Sequence, residues 1–103
     1  MVQKIRNNNM DEVLRQPFAV ADFSAEWCGP CRMLAPVLEE LSEEKSGEAA
    51  FYSIDTDENP QLAQEYDIQS IPSLLAFKNG EPVASTVGFL PKQSLADWID
   101  SLK

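Results

Sequence analysis

An apolar run of strand length, Phe18 to Ala25, is followed by a stretch of helical periodicity, Pro30 to Glu44. The junction between them reads Trp27-Cys28-Gly29-Pro30-Cys31. Leu34, Val37, Leu38 and Leu41, at i, i+3, i+4 and i+7, give the second segment one apolar face. Pro36 lies inside it and removes one backbone donor, so a kink is expected there. The chain has to build a strand and a helix that meet at a turn carrying two cysteines.

The remaining elements follow the same alternation. Val2 to Ile5 reads as a short edge strand, and Met10, Val13 and Leu14 as one face of a short helix. Asn7-Asn8-Asn9 reads as a turn that caps a helix. Ala50 to Thr56 is another strand-like run. Asn59-Pro60 supplies an N-cap and a first-turn proline for a helix through Tyr66. Ser73 to Lys78 and Val83 to Val87 flank Asn79-Gly80, a hairpin signal despite Pro82. Leu95, Trp98, Ile99 and Leu102 give a last helix after Pro91, with Trp98 expected in the core. The order is β-α-β-α-β-α-β-β-α, an α/β sandwich around a mixed sheet.

At 103 residues the chain is expected to form one domain, residues 1–103, with 44% apolar and 24% charged residues, a globular mix. Eight Lys plus Arg against 17 Asp plus Glu leave a net charge of −9. That balance argues against nucleic acid or an anionic membrane surface as the partner, since both reward basic patches. The acidic run Glu39, Glu40, Glu43 and Glu44 reads as the solvated face of the long helix. Met1 to Arg6 lacks the apolar segment of a signal peptide, and no apolar run approaches a membrane span. Cytoplasm is the expected location, although a chain trimmed of its leader would read the same way.

The sequence contains two cysteines and no histidine. Two cysteines cannot make a disulfide framework. A structural zinc site takes four Cys or His ligands, so zinc would need carboxylates or a second chain, and no metal is expected. Haem attachment would require His where Arg32 stands. Two inert core cysteines are the plainer alternative, but Gly29-Pro30 between them and the strand before them place the pair at a strand-to-helix turn. Spacing i, i+3 there brings the sulfurs within disulfide reach. Cys28, at the helix entrance, gains most from the free N–H groups and partial positive charge of the first turn, which favour its thiolate. Cys31, one turn in, is expected to be more buried. The pair then reads as an exposed attacker and a shielded resolver. Cys-x-x-Cys beside a βαβ pattern is a redox signature.

The segment Phe18-Ala19-Val20-Ala21-Asp22-Phe23-Ser24-Ala25-Glu26-Trp27-Cys28-Gly29-Pro30-Cys31-Arg32 resembles the active-site segment of the thioredoxin family. Pro36 matches the family's kink proline and Ser70-Ile71-Pro72-Ser73 its cis-proline loop. Asn79-Gly80 matches its hairpin turn and Val87-Gly88 the loop before its last helix. The resemblance implies a thioredoxin fold and a protein dithiol–disulfide oxidoreductase. Cys28 would attack substrate disulfides, Cys31 would resolve the mixed disulfide, and Asp22, matching the family's buried acid, would assist proton transfer. By position alone, a carboxylate that reaches water at a strand end is the safer reading of Asp22, and the resemblance reverses it. Trp27, Gly29, Pro30, Ile71, Val87 and Gly88 would rim Cys28, with Ile71-Pro72 pairing through its backbone with the substrate chain.

The resemblance implies no tightly bound cofactor, only the reversible Cys28–Cys31 disulfide. Electrons would come from NADPH through a flavoprotein thioredoxin reductase, and the chain would act as a monomer on proteins bearing disulfides. Gly29-Pro30 goes with reducing members of the family. Three positions depart from many relatives. Ser53 stands where a Lys often neighbours the buried acid, Ser24 where Trp is frequent, and Phe89 where a smaller residue is common. Phe89 would either widen the docking patch or tuck into the core. A non-catalytic thioredoxin-fold subunit that stabilises a partner protein is the alternative function.

Overall fold

A computed structural model describes residues 1–103. Five strands form one sheet in the order β1-β3-β2-β4-β5. They are β1 (Gln3–Lys4), β2 (Phe18–Ser24), β3 (Ala50–Asp55), β4 (Ser73–Lys78) and β5 (Glu81–Val87). Four helices, α1 (Asp11–Arg15), α2 (Gly29–Glu44), α3 (Pro60–Glu65) and α4 (Lys92–Ser101), complete the predicted order. β1 and β2 each pair with β3 in parallel, whereas β2–β4 and β4–β5 are antiparallel. The sheet is therefore mixed, as the alternation predicts.

β2 lies at the centre and is buried on both faces. Its alternate residues divide between two cores, as the two-residue period of a strand requires. Ala19, Ala21 and Phe23 join Val13 of α1 and Leu62 of α3 on one face. Tyr66 closes that core, with ring centroids 5.9 Å from Phe23 and 5.6 Å from Phe77. Phe18 and Val20 join Leu34, Leu38 and Leu41 of α2 and Leu95 and Ile99 of α4 on the other. α2 continues through Pro36, and its apolar stripe is the predicted one, with Val37 half-buried at its edge.

Two expectations are corrected in part. Leu14 is 39% exposed, because α1 is little more than one turn and only Met10 and Val13 face the core. Trp98 packs on the second core but remains half-buried. The acidic face of α2 is exposed as expected, and it finds cations elsewhere. The N-terminal ammonium pairs with Glu39 and Glu43, and Lys92 of α4 with Glu40 and Glu44.

Candidate active site

β2 ends at Ser24, and Ala25 to Trp27 carry the chain to Cys28, the N-cap of α2. Cys28 has an extended backbone (φ −88°, ψ 116°), and Pro30 falls within the first helical turn. There its fixed φ suits the helix and its missing N–H is no loss. Cys28 and Cys31 form a disulfide with Cα atoms 5.2 Å apart. The Cys31 N–H donates to Cys28 Sγ at 3.3 Å. An N-cap side chain accepting such a bond is one way a first-turn donor is satisfied. At Cys28 that donor points at the sulfur itself.

The expected contrast in exposure is not observed. Cys28 is 6% and Cys31 4% exposed. Both cysteines, joined in the disulfide, pack with Ala25 and Ile71. The asymmetry of the pair lies in position, cap against first turn. Trp27 beside them is 69% exposed, and its Nε1–H donates to Asp57 at 2.9 Å.

Ile71-Pro72 precedes β4 and is cis, as the resemblance implies. Ile71 touches the cysteine cluster, while Pro72 is fully buried. Register brings Val87 opposite Ser73, and the Gly88 N–H donates to the Pro72 carbonyl at 2.8 Å. That bond fixes the loop after β5 against the loop before β4. Gly88 has φ +93°, a conformation open to glycine at little cost. Val87 is 59% exposed and Phe89 37%, so Phe89 is not a core residue. Gly29 and Pro30 are exposed at the start of α2. The structure thus gathers Cys28, Cys31 and Ile71 directly, with Pro72, Val87 and Gly88 tied into the neighbouring loop pair.

Asp22 belongs to β2 two residues beyond Val20 and shares its face, beneath α2. It is 4% exposed, and its Oδ1 has no hydrogen-bond partner. Burial raises its pKa to about 7, since a desolvated carboxylate prefers to keep its proton. The alternative of a carboxylate reaching water at a strand end is excluded by that burial. Asp22 and Cys31 line one cleft of about 160 Å³, together with Ser53 and Lys4. Ser53 is the register partner of Asp22 on β3. Lys4, which no sequence motif marks, is in turn the register partner of Ser53 on β1. Its two-residue strand gave no pattern strong enough to fix which face Lys4 occupies.

This arrangement can store a disulfide at a helix N-terminus and hold a near-neutral acid in the cleft under one of its sulfurs. No helix of the protein is long and apolar enough to cross a membrane. The thioredoxin family model matches residues 1–101. A thioredoxin of Staphylococcus haemolyticus is 46% identical over 99 residues, covering 96% of this chain and 95% of its own length. A Staphylococcus epidermidis thioredoxin matches at 46% and a Staphylococcus aureus thioredoxin at 44%, each with the same coverage. The match spans the strand-to-helix turn, the cis-proline loop and the hairpin alike, and the chain belongs to the thioredoxin family of dithiol–disulfide oxidoreductases.

Proposed function

We propose that the chain, as one domain and one monomer in the cytoplasm, reduces disulfides in other proteins through a mixed disulfide at Cys28. In the reduced state the Cys28 thiolate attacks one sulfur of a substrate disulfide. A Cys28–substrate bond forms, the substrate bond breaks, and the first substrate thiolate leaves. Cys31 gives its proton to the Asp22 carboxylate and attacks the Cys28 sulfur. The second substrate thiolate departs, and Cys28–Cys31 is left oxidised. Two electrons have passed to the substrate, and Asp22 returns its proton to water. A flavoprotein reductase using NADPH restores the dithiol.

The observation that carries this reading is the shared cleft of Cys31 and Asp22. An acid with a pKa of about 7 is matched to taking and returning a proton near neutrality. Trp27, Gly29, Pro30, Ile71, Val87 and Gly88 form the rim on which the substrate chain docks, and the backbone before Pro72 pairs with it.

Reduction of insulin, followed by precipitation of its free B chain, tests the reading with NADPH and a thioredoxin reductase as the electron source. Cys28→Ser should abolish reduction, and Cys31→Ser should trap a mixed disulfide visible by mass spectrometry. Absence of reduction in the unaltered protein, with a partner still bound by both cysteine variants, would instead assign the chain as a binding subunit.

A further inference from the structure

The row of side chains that holds Asp22 crosses three strands on the α2 face of the sheet. Asp22 of β2 is in register with Ser53 of β3, and Ser53 with Lys4 of β1. All three line the same cleft. Adjacent strands lie about 4.8 Å apart, so the Lys4 backbone is roughly 10 Å from that of Asp22. A flexible four-carbon stem can cover much of that gap. Ser53 between them is short enough to leave the way open. Lys4 is exposed and makes no ion pair that would hold it elsewhere.

We propose that Lys4 is the counter-charge of Asp22, its ammonium folding across Ser53 into the cleft when Asp22 is ionised. Lys4 acts through Asp22 and is in that sense a positioning residue. The proposal rests on Asp22 as the proton acceptor of Cys31. By stabilising the carboxylate, the ammonium keeps a larger fraction of Asp22 ready to accept that proton at neutral pH. It also offsets part of the cost of a charge that the fold otherwise leaves bare.

The other groups around Asp22 do not fill this role. β4 places Leu74 beside it. Asp55 of β3 and Glu26 of the loop after β2 line the cleft but are acids. Asp55 already accepts the N–H groups of Asp57 and Glu58 at 2.8 and 3.1 Å. From α2 come Cys31, locked in the disulfide, and Arg32, the second cation of the cleft. Arg32 belongs to the helix above the cleft, whereas Lys4 shares the sheet row of the carboxylate.

The test is titration of the Asp22 carboxyl carbon by NMR in the oxidised protein, where neither thiol titrates. Lys4→Met should raise the midpoint by about 0.5–1 pH unit, as removal of a partly solvated cation does. Lys4→Arg should stay near the unaltered value, and Arg32→Gln should move it less than Lys4→Met. These are changes at exposed positions that leave the folded core intact. An unchanged midpoint in Lys4→Met, or a larger rise in Arg32→Gln, overturns the proposal. The rate at which Cys31 releases a Cys28 mixed disulfide is the separate control. A rate in Asp22→Asn equal to the unaltered one overturns the proton-acceptor reading itself, whereas failure of Lys4 shows in the midpoint alone.

Discussion

Asp22 carries a cost to the fold that grows with pH. In the unfolded chain it ionises with the usual carboxylate pKa of 3.8, and in the folded protein near 7. Between those values the folded state holds the extra proton, so stability falls as pH rises, and the loss levels off above about 7. A gap of about three pH units corresponds to roughly 4 kcal/mol. Asp22→Asn, neutral at every pH, should match the unaltered protein near pH 4 and exceed it by up to about 4 kcal/mol at pH 8. Urea denaturation at the two pH values measures this, and equal stability at both would refute it. Ser53→Lys tests the same environment from the next strand. A cation placed in register beside Asp22 should lower its titration midpoint by about one pH unit or more. The burial behind these numbers was only half legible in the sequence. Its alternation put Asp22 on the face of Val20, but one carboxylate in an apolar run has two local outcomes. Only the resemblance chose between them, and α2 lying over the site is the physical reason the choice is correct.

At the scale of elements, the asparagines show a limit of local reading. Asn59 precedes Pro60 as an N-cap should, yet its side chain makes no cap bond. It is fully buried, and its amide donates to the carbonyls of Ile5 and Asp55 at 3.3 and 3.0 Å. The cap of α3 comes instead from Asn8, whose Oδ1 accepts the N–H groups of Gln61 and Leu62 at 3.0 and 3.2 Å. Asn9 serves α1 by accepting the Asp11 N–H at 2.9 Å. The expected capping turn is present, but it serves two helices, and one of them lies more than fifty residues away. Elements with strong local periods, such as α2 and the β4–β5 hairpin, were legible because their own residues determine them. The partner of Asn8 was not, since only the assembled fold brings the turn after β1 against the start of α3. Asn8→Ala should therefore cost about 1–2 kcal/mol, as loss of an N-cap does, despite its distance in sequence from the helix. A lower urea midpoint at unchanged slope is the expected record. The hairpin offers a second case. Gly80 has φ +85°, and a Cβ there would lie 2.9 Å from the Leu14 carbonyl oxygen. Gly80→Ala should cost about 1–3 kcal/mol by the same measurement, because neither the turn nor the backbone of α1 can move freely.

For the whole molecule, the proposed function would have charge and apolar exposure divide the work of meeting a partner. The net charge of −9 is carried widely, including along α2, where the N-terminus and Lys92 neutralise only part of it. Trp27 and Val87, by contrast, leave apolar surface open in the segments that hold Cys28 and the loop tied to Pro72. Close contact at such a rim depends on desolvation, which salt changes little, whereas approach depends on a field that salt screens. The Debye length falls from about 30 Å at 0.01 M to about 8 Å at 0.15 M. Reduction of a basic disulfide protein should thus slow by about tenfold across that range, as steered encounters do. Reduction of a small neutral disulfide should stay constant, since it feels no field. Val87→Asp should give the complementary pattern. It places a charge in the rim, lowering the rate with the protein substrate by about tenfold at either salt concentration while sparing the small disulfide. Equal salt dependence for both substrates would place the limiting step in the thiol chemistry rather than in encounter. That outcome would remove any role for the molecule's charge in choosing what reaches Cys28.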